Sequence, residues 1–447
     1  MNVKSSMFNF SAELDNGGMV LLNTYQGTDS VLMISPQKVD KVKKWLSNQL
    51  PQETDQDFDT LMNKGYFVDF STDEKLLREL SYCKTRMDNN LHLIIYVTKR
   101  CNFRCKYCGY SFVESSDMAQ DIQDGLINFI RKNIGKYDSI ILDWFGGEPT
   151  LNIDAIEYIS AKVIDICQRM KKPLFSTITT NGFLLTPKNI KRLFDCKVFK
   201  YVVTLDGLRE THDRLRVLGD ESGTFDIIVR NLKYMKENIK QNFDVWIRTN
   251  ITTEIAQPEY LKKYYSFFDE EFGDDNRFSL FIRPANDLGG ERVEKIKHVL
   301  MENSDMSMSD VFREVSQNTG NITYKGNVRD LDVGGCRCPA SRLNKYNILV
   351  DGTINKCDDG VENEFSIGKL LPNGVMEIDE SVHAKWLFNN SEDKYAKCDD
   401  CALSMICNMD GCPRNRLYTG KTQCPLNEDE FAGSLILFAR ESDVDEL

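Results

Sequence analysis

Long apolar runs are missing from this chain. No stretch approaches the roughly 18 residues of a membrane span, and the opening residues MNVKSSMFNFSAEL lack the apolar middle of a signal peptide. A membrane partner is therefore not expected, and the cytoplasm is the expected location. Basic blocks are missing as well. Lys and Arg number 56 against 68 Asp and Glu, for a net charge of -12, and no cationic run is long enough to follow a phosphate backbone. Nucleic acid is not an expected partner. Internal repeats and low-complexity tracts are absent, and histidine is scarce, with 4 in 447 residues.

What remains describes an ordinary globular protein: 41% hydrophobic and 28% charged residues, in a length that suggests about two to three domains. Cysteine is the exception, at 14 residues. In a reducing compartment that number argues for metal or redox work rather than disulfides. Cys83, Cys167 and Cys196 stand alone and read as small hydrophobes; Cys167 lies in the helix-like run IDAIEYISAKVIDICQRM. The other 11 form two groups, a triplet at Cys101, Cys105 and Cys108 and 8 between Cys336 and Cys424.

The pattern along the chain gives four regions. Residues 1–90 read as a small α+β domain, with MVLLNTY and SVLMIS flanking QGTD as a hairpin. Helices follow at 37–48, at 54–64 ending on Gly65, and at 72–87 opening on Ser71, with a short strand GYFVDF at 65–70. Residues 91–285 alternate between strand-like runs (LHLIIYVT, SIILDWF, LFSTITT, FKYVVTLD, DVWIRTNI, RFSLFIRP) and helix-like segments at 118–133, 152–170, 187–194, 224–239 and 258–270. Such alternation predicts a parallel α/β sheet with right-handed crossovers, a partial (β/α)6 TIM-like barrel that collects ligands at the carboxyl ends of its strands. Residues 286–330 read as a polar helical linker. Residues 331–447, with short strands, glycines and cysteines, read as a domain that needs a metal staple.

Three thiols in eight positions leave a coordination position open, because a structural zinc site wants four ligands. A cluster with four iron corners held by three thiolates keeps one iron free. A zinc site completed by a distant ligand would also suit the spacing. Position favours the cluster, since TKRC follows the first barrel strand and GGEP the second.

Here the sequence resembles the radical S-adenosylmethionine (SAM) enzymes. Cys101-x3-Cys105-x2-Cys108, with Tyr107 before the last cysteine, matches the superfamily's signature. The resemblance implies that the open iron chelates SAM and that an electron from the cluster releases a 5′-deoxyadenosyl radical. It also implies SAM contacts at Tyr107, and at Gly146, Gly147, Glu148 and Pro149 of WFGGEP, which begins its GGEP 38 residues after Cys108. TTNG (179–182) and TLDG (204–207) end the third and fourth strands as they do in that superfamily. Thr204, Arg248 and Asn250 are the strand-end groups expected at the SAM ribose or carboxylate, or else strand caps. DGLRETHDRLR (206–216) recurs in the peptide-modifying branch, and no chemistry is assigned to His212 or Arg216.

The later cysteines, Cys338-x13-Gly352-x4-Cys357 and then Cys398-x2-Cys401-x5-Cys407-x4-Cys412 and Cys424, resemble the SPASM extension of radical SAM peptide maturases. The spacing from Cys407 to Cys412 is one residue longer than the family's. That resemblance implies two auxiliary clusters, Cys336, Cys338, Cys357 and Cys412 holding the first and Cys398, Cys401, Cys407 and Cys424 the second. Cys336 is either that eighth ligand or a spare thiol, which would leave the first cluster an open iron. With the SAM cluster this makes three [4Fe-4S] clusters. Residues 1–90 resemble leader-recognition domains, so the expected partners are a precursor peptide with a leader, added as a strand on a sheet edge, and an electron donor such as flavodoxin or ferredoxin. The expected activity is a radical SAM/SPASM peptide maturase of the sactipeptide, ranthipeptide or cyclophane type, forming a thioether or another side-chain crosslink. An anaerobic sulfatase-type maturase and a non-enzymatic iron–sulfur or zinc scaffold are the alternatives.

Overall fold

The computed structural model describes residues 2–108, 116–285, 294, 296–301, 311, 338–358, 365–389, 398–407, 411–422, 424, 426 and 428–447. The expected linker at 286–330 and Cys336 fall largely or wholly outside them. The chain forms two compact units, Met1–Asp88 with Asn327–Leu343 and Lys385–Leu447, and Asn89–Gly326 with Asn344–Ala384.

The first unit opens with β1 (Val3–Ser5), β2 (Asn9–Glu13), β3 (Met19–Asn23) and β4 (Leu32–Ile34). Next come α1 (Val39–Leu46), α2 (Gln56–Asn63), β5 (Phe67–Asp69) and α3 (Glu74–Arg86). The expected hairpin is β3 on β4, pairing Met19 with Ile34. β2 extends it on one side, and Asp445–Glu446 from the far end of the chain pairs parallel with β4 on the other. β3 is buried along its whole length because both faces of the sheet are covered. Met19 and Leu21 pack with Val42, Trp45, Phe58 and Leu61. Val20 and Leu22 pack with Leu403, Ile406, Phe431 and Leu435. The two ends of the sequence thus build one core. The start of α3 differs from expectation. Asp73 is its cap, accepting the Leu76 N–H at 3.0 Å, while Ser71 donates its own N–H to Asp69 at 2.8 Å. An aspartate caps as well as a serine and adds a favourable charge at the positive helix end.

The second unit carries β6 (Asn90–Thr98), α4 (Gln120–Asn133), β7 (Ser139–Gly146), α5 (Ile153–Met170), β8 (Leu174–Thr180), α6 (Pro187–Asp195) and β9 (Lys200–Thr204). It continues with α7 (Arg209–Leu215), α8 (Phe225–Asn238), β10 (Asp244–Ile251), α9 (Pro258–Phe272) and β11 (Phe278–Pro284). Each strand from β6 to β11 pairs parallel with the next, as the alternation predicts. Parallel neighbours put every carboxyl end on one edge, and the loops after those ends carry the candidate residues. Beyond β6 the sheet continues through β12 (Lys345–Ile348), again parallel, and then antiparallel through β13 (Thr353–Asn355), β14 (Gly368–Leu370) and β15 (Met376–Ile378). Among the described residues the sheet is open, with β11 and β15 at its edges.

Candidate active site

The loop that carries Cys101, Cys105 and Cys108 leaves β6 and is held on two sides. On one side Arg104 and Lys106 donate backbone N–H groups to Val217 and Leu215 at 2.7 and 2.8 Å. On the other, Arg100 forks onto Asp117 at 2.9 and 2.7 Å. The glycines after β7 close the same loop from below. Gly147 donates to the Thr98 carbonyl at 2.9 Å and Glu148 to the Arg100 carbonyl at 2.8 Å. A Cβ on Gly146 would run into the Thr98 carbonyl and one on Gly147 into the Arg100 carbonyl, and Gly146 also sits at φ 137°. Close approach is what the glycines provide here, and the chain's own backbone is what approaches.

Glu148 is 1% exposed and is the most heavily hydrogen-bonded group of the site. Its Oε1 accepts from Thr150 N at 3.1 Å, Thr150 Oγ1 at 2.5 Å and Thr180 Oγ1 at 2.7 Å, and its Oε2 from Asn181 N at 2.7 Å. Burial pushes its pKa up while those donors pull it back. The carboxylate therefore joins the ends of β7 and β8. A carboxylate oxygen has two lone pairs, so Oε2 keeps one for a further donor.

A second network joins the next strand ends. The Tyr107 hydroxyl donates to Asp206 Oδ2 and accepts from Arg216 Nη1 at 2.6 Å and Asn250 Nδ2 at 3.0 Å. Those bonds use its one donor and both lone pairs. Asp206, with no exposed surface, takes the Asn250 backbone and side-chain N–H groups on Oδ1 at 2.8 and 3.0 Å. Burial opposes the charge of Arg216, yet Cys105, Tyr107 and Asp206 hold its pKa above even the usual arginine range. Arg248 pairs in register with Thr204 and its Nε reaches Asn250 Oδ1 at 3.2 Å. Sequence reasoning had picked Tyr107, Thr204, Arg248 and Asn250 singly. It missed Asp206, which lay inside the quoted TLDG, and gave no role to Arg216.

Burial raises the Cys101 thiol to about 12, helped by Glu148, Cys105 and Cys108, and raises Cys105 to about 11 despite Arg216. Raised thiols at Cys101 and Cys105 fit a site completed by cationic iron, since iron takes thiolates. Among the described residues no three His, Cys, Asp or Glu converge closely enough to share a single metal ion. A four-iron cluster asks for less convergence, because each thiolate meets its own corner.

The later cysteines divide between the units. Burial raises the Cys398 and Cys401 thiols, with each also pushed up by Cys424. Cys407 lies in the same unit, beside Tyr82. Cys412 is exposed and caps the helix Pro413–Thr419, its Sγ accepting the Asn415 N–H at 3.4 Å. Cys338 belongs to the first unit and Cys357 to the second.

Residues 95–253 match the radical SAM superfamily. The chain carries a radical SAM domain. A radical SAM domain uses SAM and a [4Fe-4S] cluster, and Cys101, Cys105, Cys108 and GGEP all fall within the matched range. A cysteine-type anaerobic sulfatase-maturating enzyme of Clostridium novyi is 24% identical over 346 residues, spanning 72% of this chain and 88% of that one. Some other curated relatives are matched over 32–33% of their length and others over 89–95%. Among solved structures, native anSMEcpe with bound AdoMet and the Cp18Cys peptide aligns at TM-score 0.56 and 17% identity, over 78% of this chain and 96% of that one. Streptococcus suis SuiB bound to its precursor peptide SuiA aligns at TM-score 0.53 and 17% identity, over 94% and 97%. The radical SAM fold, α/β with a central parallel sheet, is common to them. No helix among the described residues is long and apolar enough to cross a membrane.

Proposed function

We propose that this radical SAM protein is a maturase of ribosomally made peptides that forms a thioether or another side-chain crosslink. The observation that carries the reading is coverage. The peptide-bound SuiB fold accounts for 94% of this chain, whereas the sulfatase-maturase fold accounts for 78%. The extra coverage favours the fold seen bound to a precursor peptide, and residues 1–90 supply helices and strand edges where a leader could add. We assign Cys101, Cys105 and Cys108 to the SAM cluster, Cys336, Cys338, Cys357 and Cys412 to a first auxiliary cluster, and Cys398, Cys401, Cys407 and Cys424 to a second. When bound, the cluster at Cys101, Cys105 and Cys108 would supply, with SAM, a 5′-deoxyadenosyl radical able to take a hydrogen atom from a substrate carbon.

The chain's own residues position and shield. Arg100, Arg104 and Lys106 fix the cysteine loop against Asp117 and residues 215–217. The spare lone pair of Glu148 Oε2 would take an N–H of the SAM ammonium, a charge-assisted bond in a buried site. Tyr107, Asp206 and Arg216 act behind that surface by holding the ends of β9 and β10, where Thr204 and Arg248 would meet the SAM ribose or carboxylate. Strand-end groups fixed in advance keep a reactive site ordered and dry.

A second reading, oxidation of a Cys or Ser to formylglycine, is favoured by the 88% coverage of the Clostridium novyi enzyme. One experiment separates them. Reduced, reconstituted protein would be given SAM and each short peptide encoded beside its gene, with 5′-deoxyadenosine and peptide mass followed. A crosslink shows as loss of two hydrogen atoms with both side chains retained, and formylglycine as an aldehyde that reacts with hydrazide. Formation of deoxyadenosine with neither change on any neighbouring peptide, but an aldehyde on a sulfatase-type peptide, rejects the crosslinking reading. Iron analysis runs alongside, with about twelve atoms per chain expected from three clusters of four.

A further inference from the structure

We propose that Arg78, on α3, positions the loop carrying Cys398, Cys401 and Cys407 and balances the charge of the cluster those cysteines hold. The N-terminal segment is then half of that cysteine site as well as a candidate peptide binder. The proposal rests on the auxiliary-cluster reading above.

The geometry is specific. The loop's backbone carbonyls are held by side chains from the N-terminal segment. Arg78 Nη1 donates to the carbonyls of Cys398 and Asp399 at 3.3 and 3.2 Å. Thr24 Oγ1 donates to the Ala402 carbonyl, and the Tyr82 hydroxyl to that of Ser404. Tyr82 lies four residues after Arg78, on the same helix face, and its ring packs with Phe8 and Met405. Carbonyls at four positions within seven residues are thus fixed by three side chains that lie more than 300 residues away in sequence.

Charge makes the second part of the argument. Arg78 is 3% exposed, and its buried Nε–H has no hydrogen-bond partner among the described residues. The carboxylates nearest it, Asp399 and Glu79, stand 3.9 Å away and are 71% and 55% exposed, so water screens them. A buried guanidinium so weakly compensated, with an idle N–H, wants an anion. A thiolate-ligated cluster supplies the missing negative charge.

The test uses the full chain with Cys101, Cys105 and Cys108 all replaced by Ala, so that remaining iron reports the later cysteines. That protein is expected to hold about eight iron atoms. Adding Arg78→Met should remove about four of them, whereas Lys75→Ala, which breaks only an exposed pair with Asp400, should remove none. In whatever fraction of Arg78→Met keeps both clusters, one midpoint potential should move to more negative values, and Arg78→Lys should restore it because the charge returns. Iron and potentials identical to the parent in Arg78→Met would overturn the proposal alone. A parent holding no iron would overturn the auxiliary-cluster reading, and the proposal with it. Should Arg78→Met fail to fold, Arg78→Lys and Tyr82→Phe decide. Tyr82→Phe keeps the ring in its apolar site and removes only the bond to Ser404, and partial iron loss in both variants is expected. Full iron in both would defeat the proposal equally well.

Discussion

Tyr107 and Asp206 are 99 residues apart in sequence and hydrogen-bonded in the fold, with the tyrosine hydroxyl as donor. The bond ties the cysteine loop after β6 to the end of β9, and Arg216 completes the group with its Nη1 3.7 Å from Asp206. Removing one charge of such a buried pair strands the other, at a cost of about 3–5 kcal/mol. Asp206→Asn and Arg216→Met should each lower stability on that scale. The double variant should cost less than the sum by roughly 1–3 kcal/mol. Denaturant unfolding of the four proteins measures it, and strict additivity would mean the pair is not coupled.

Gly146 and Gly147 provide a steric prediction. Ala at either position puts a methyl group into a backbone carbonyl of the cysteine loop. Overpacking of this kind costs about 1–3 kcal/mol, with positive-φ strain added at Gly146. Gly135→Ala is the control, since nothing lies within 4 Å of the added methyl. Iron at the first cluster and formation of 5′-deoxyadenosine should fall at least about tenfold in Gly146→Ala, the rate equivalent of about 1.4 kcal/mol. Gly135→Ala should match the parent.

His212 makes the barrel acid-sensitive. It has no exposed surface, and burial together with Arg216 holds its pKa well below the ordinary imidazole range. Nδ1 accepts the Asp206 N–H at 3.1 Å, and Nε2 meets Thr224 Oγ1 at 3.0 Å. That hydroxyl donates to the Arg216 carbonyl at 2.8 Å, so Nε2 carries the proton of a neutral ring. The unfolded chain protonates near pH 6.5 and the fold does not. Stability is therefore fully present above about pH 6.5 and declines as pH falls below it. Between about pH 7 and pH 5.5 the parent should lose about 1 kcal/mol more than His212→Asn, which keeps an acceptor for Asp206. Equal pH slopes would count against it.

The thiols of the first group should be sluggish without iron. Raised to about 12 and about 11, Cys101 and Cys105 stay protonated at neutral pH, and only the thiolate is alkylated. Cys83 is exposed. In metal-free protein at about pH 8, iodoacetamide should label Cys83 well before either. Mass mapping over time checks the order, and the lag should shorten as pH rises toward their pKa values.

Deletion of residues 1–88 removes part of the first unit and leaves the second whole. Every SAM-contact candidate, from Cys101 to Asn250, lies in the second unit, while the deletion takes β1–β5, Arg78 and Tyr82 from the first. Residues 385–447 then lose the sheet on which Phe431 and Leu435 pack. The truncated protein should keep iron at Cys101, Cys105 and Cys108 but lose it at Cys398, Cys401, Cys407 and Cys424, with lower solubility. Iron measured with and without the barrel triplet reads this directly, and retention of the later iron would show that residues 385–447 fold alone.

Period and punctuation determined the barrel from the sequence alone. Runs such as LHLIIYVT and SIILDWF, separated by amphipathic segments, leave a parallel sheet as the arrangement that buries both faces, and the strands of residues 91–285 and every helix there except α7 were legible to within a few residues. Spacing located the cysteine triplet and GGEP for the same reason, since ligands and tight turns are set by local geometry. What the tertiary structure alone decided was which distant residues meet. Asp206 and Arg216 are a buried pair only because β9 and α7 bring them behind Tyr107, and a single sequence carries no sign of that juxtaposition. Gly146 and Gly147 read as SAM contacts, and only the fold shows that the backbone of Thr98 and Arg100 packs against them. Residues 1–90 read as a module of their own because hairpin and helix signals are local. Their partnership with residues 385–447 depends on pairing β4 with Asp445–Glu446 and on Arg78 reaching Cys398, contacts made across more than 300 residues, where no periodicity reaches.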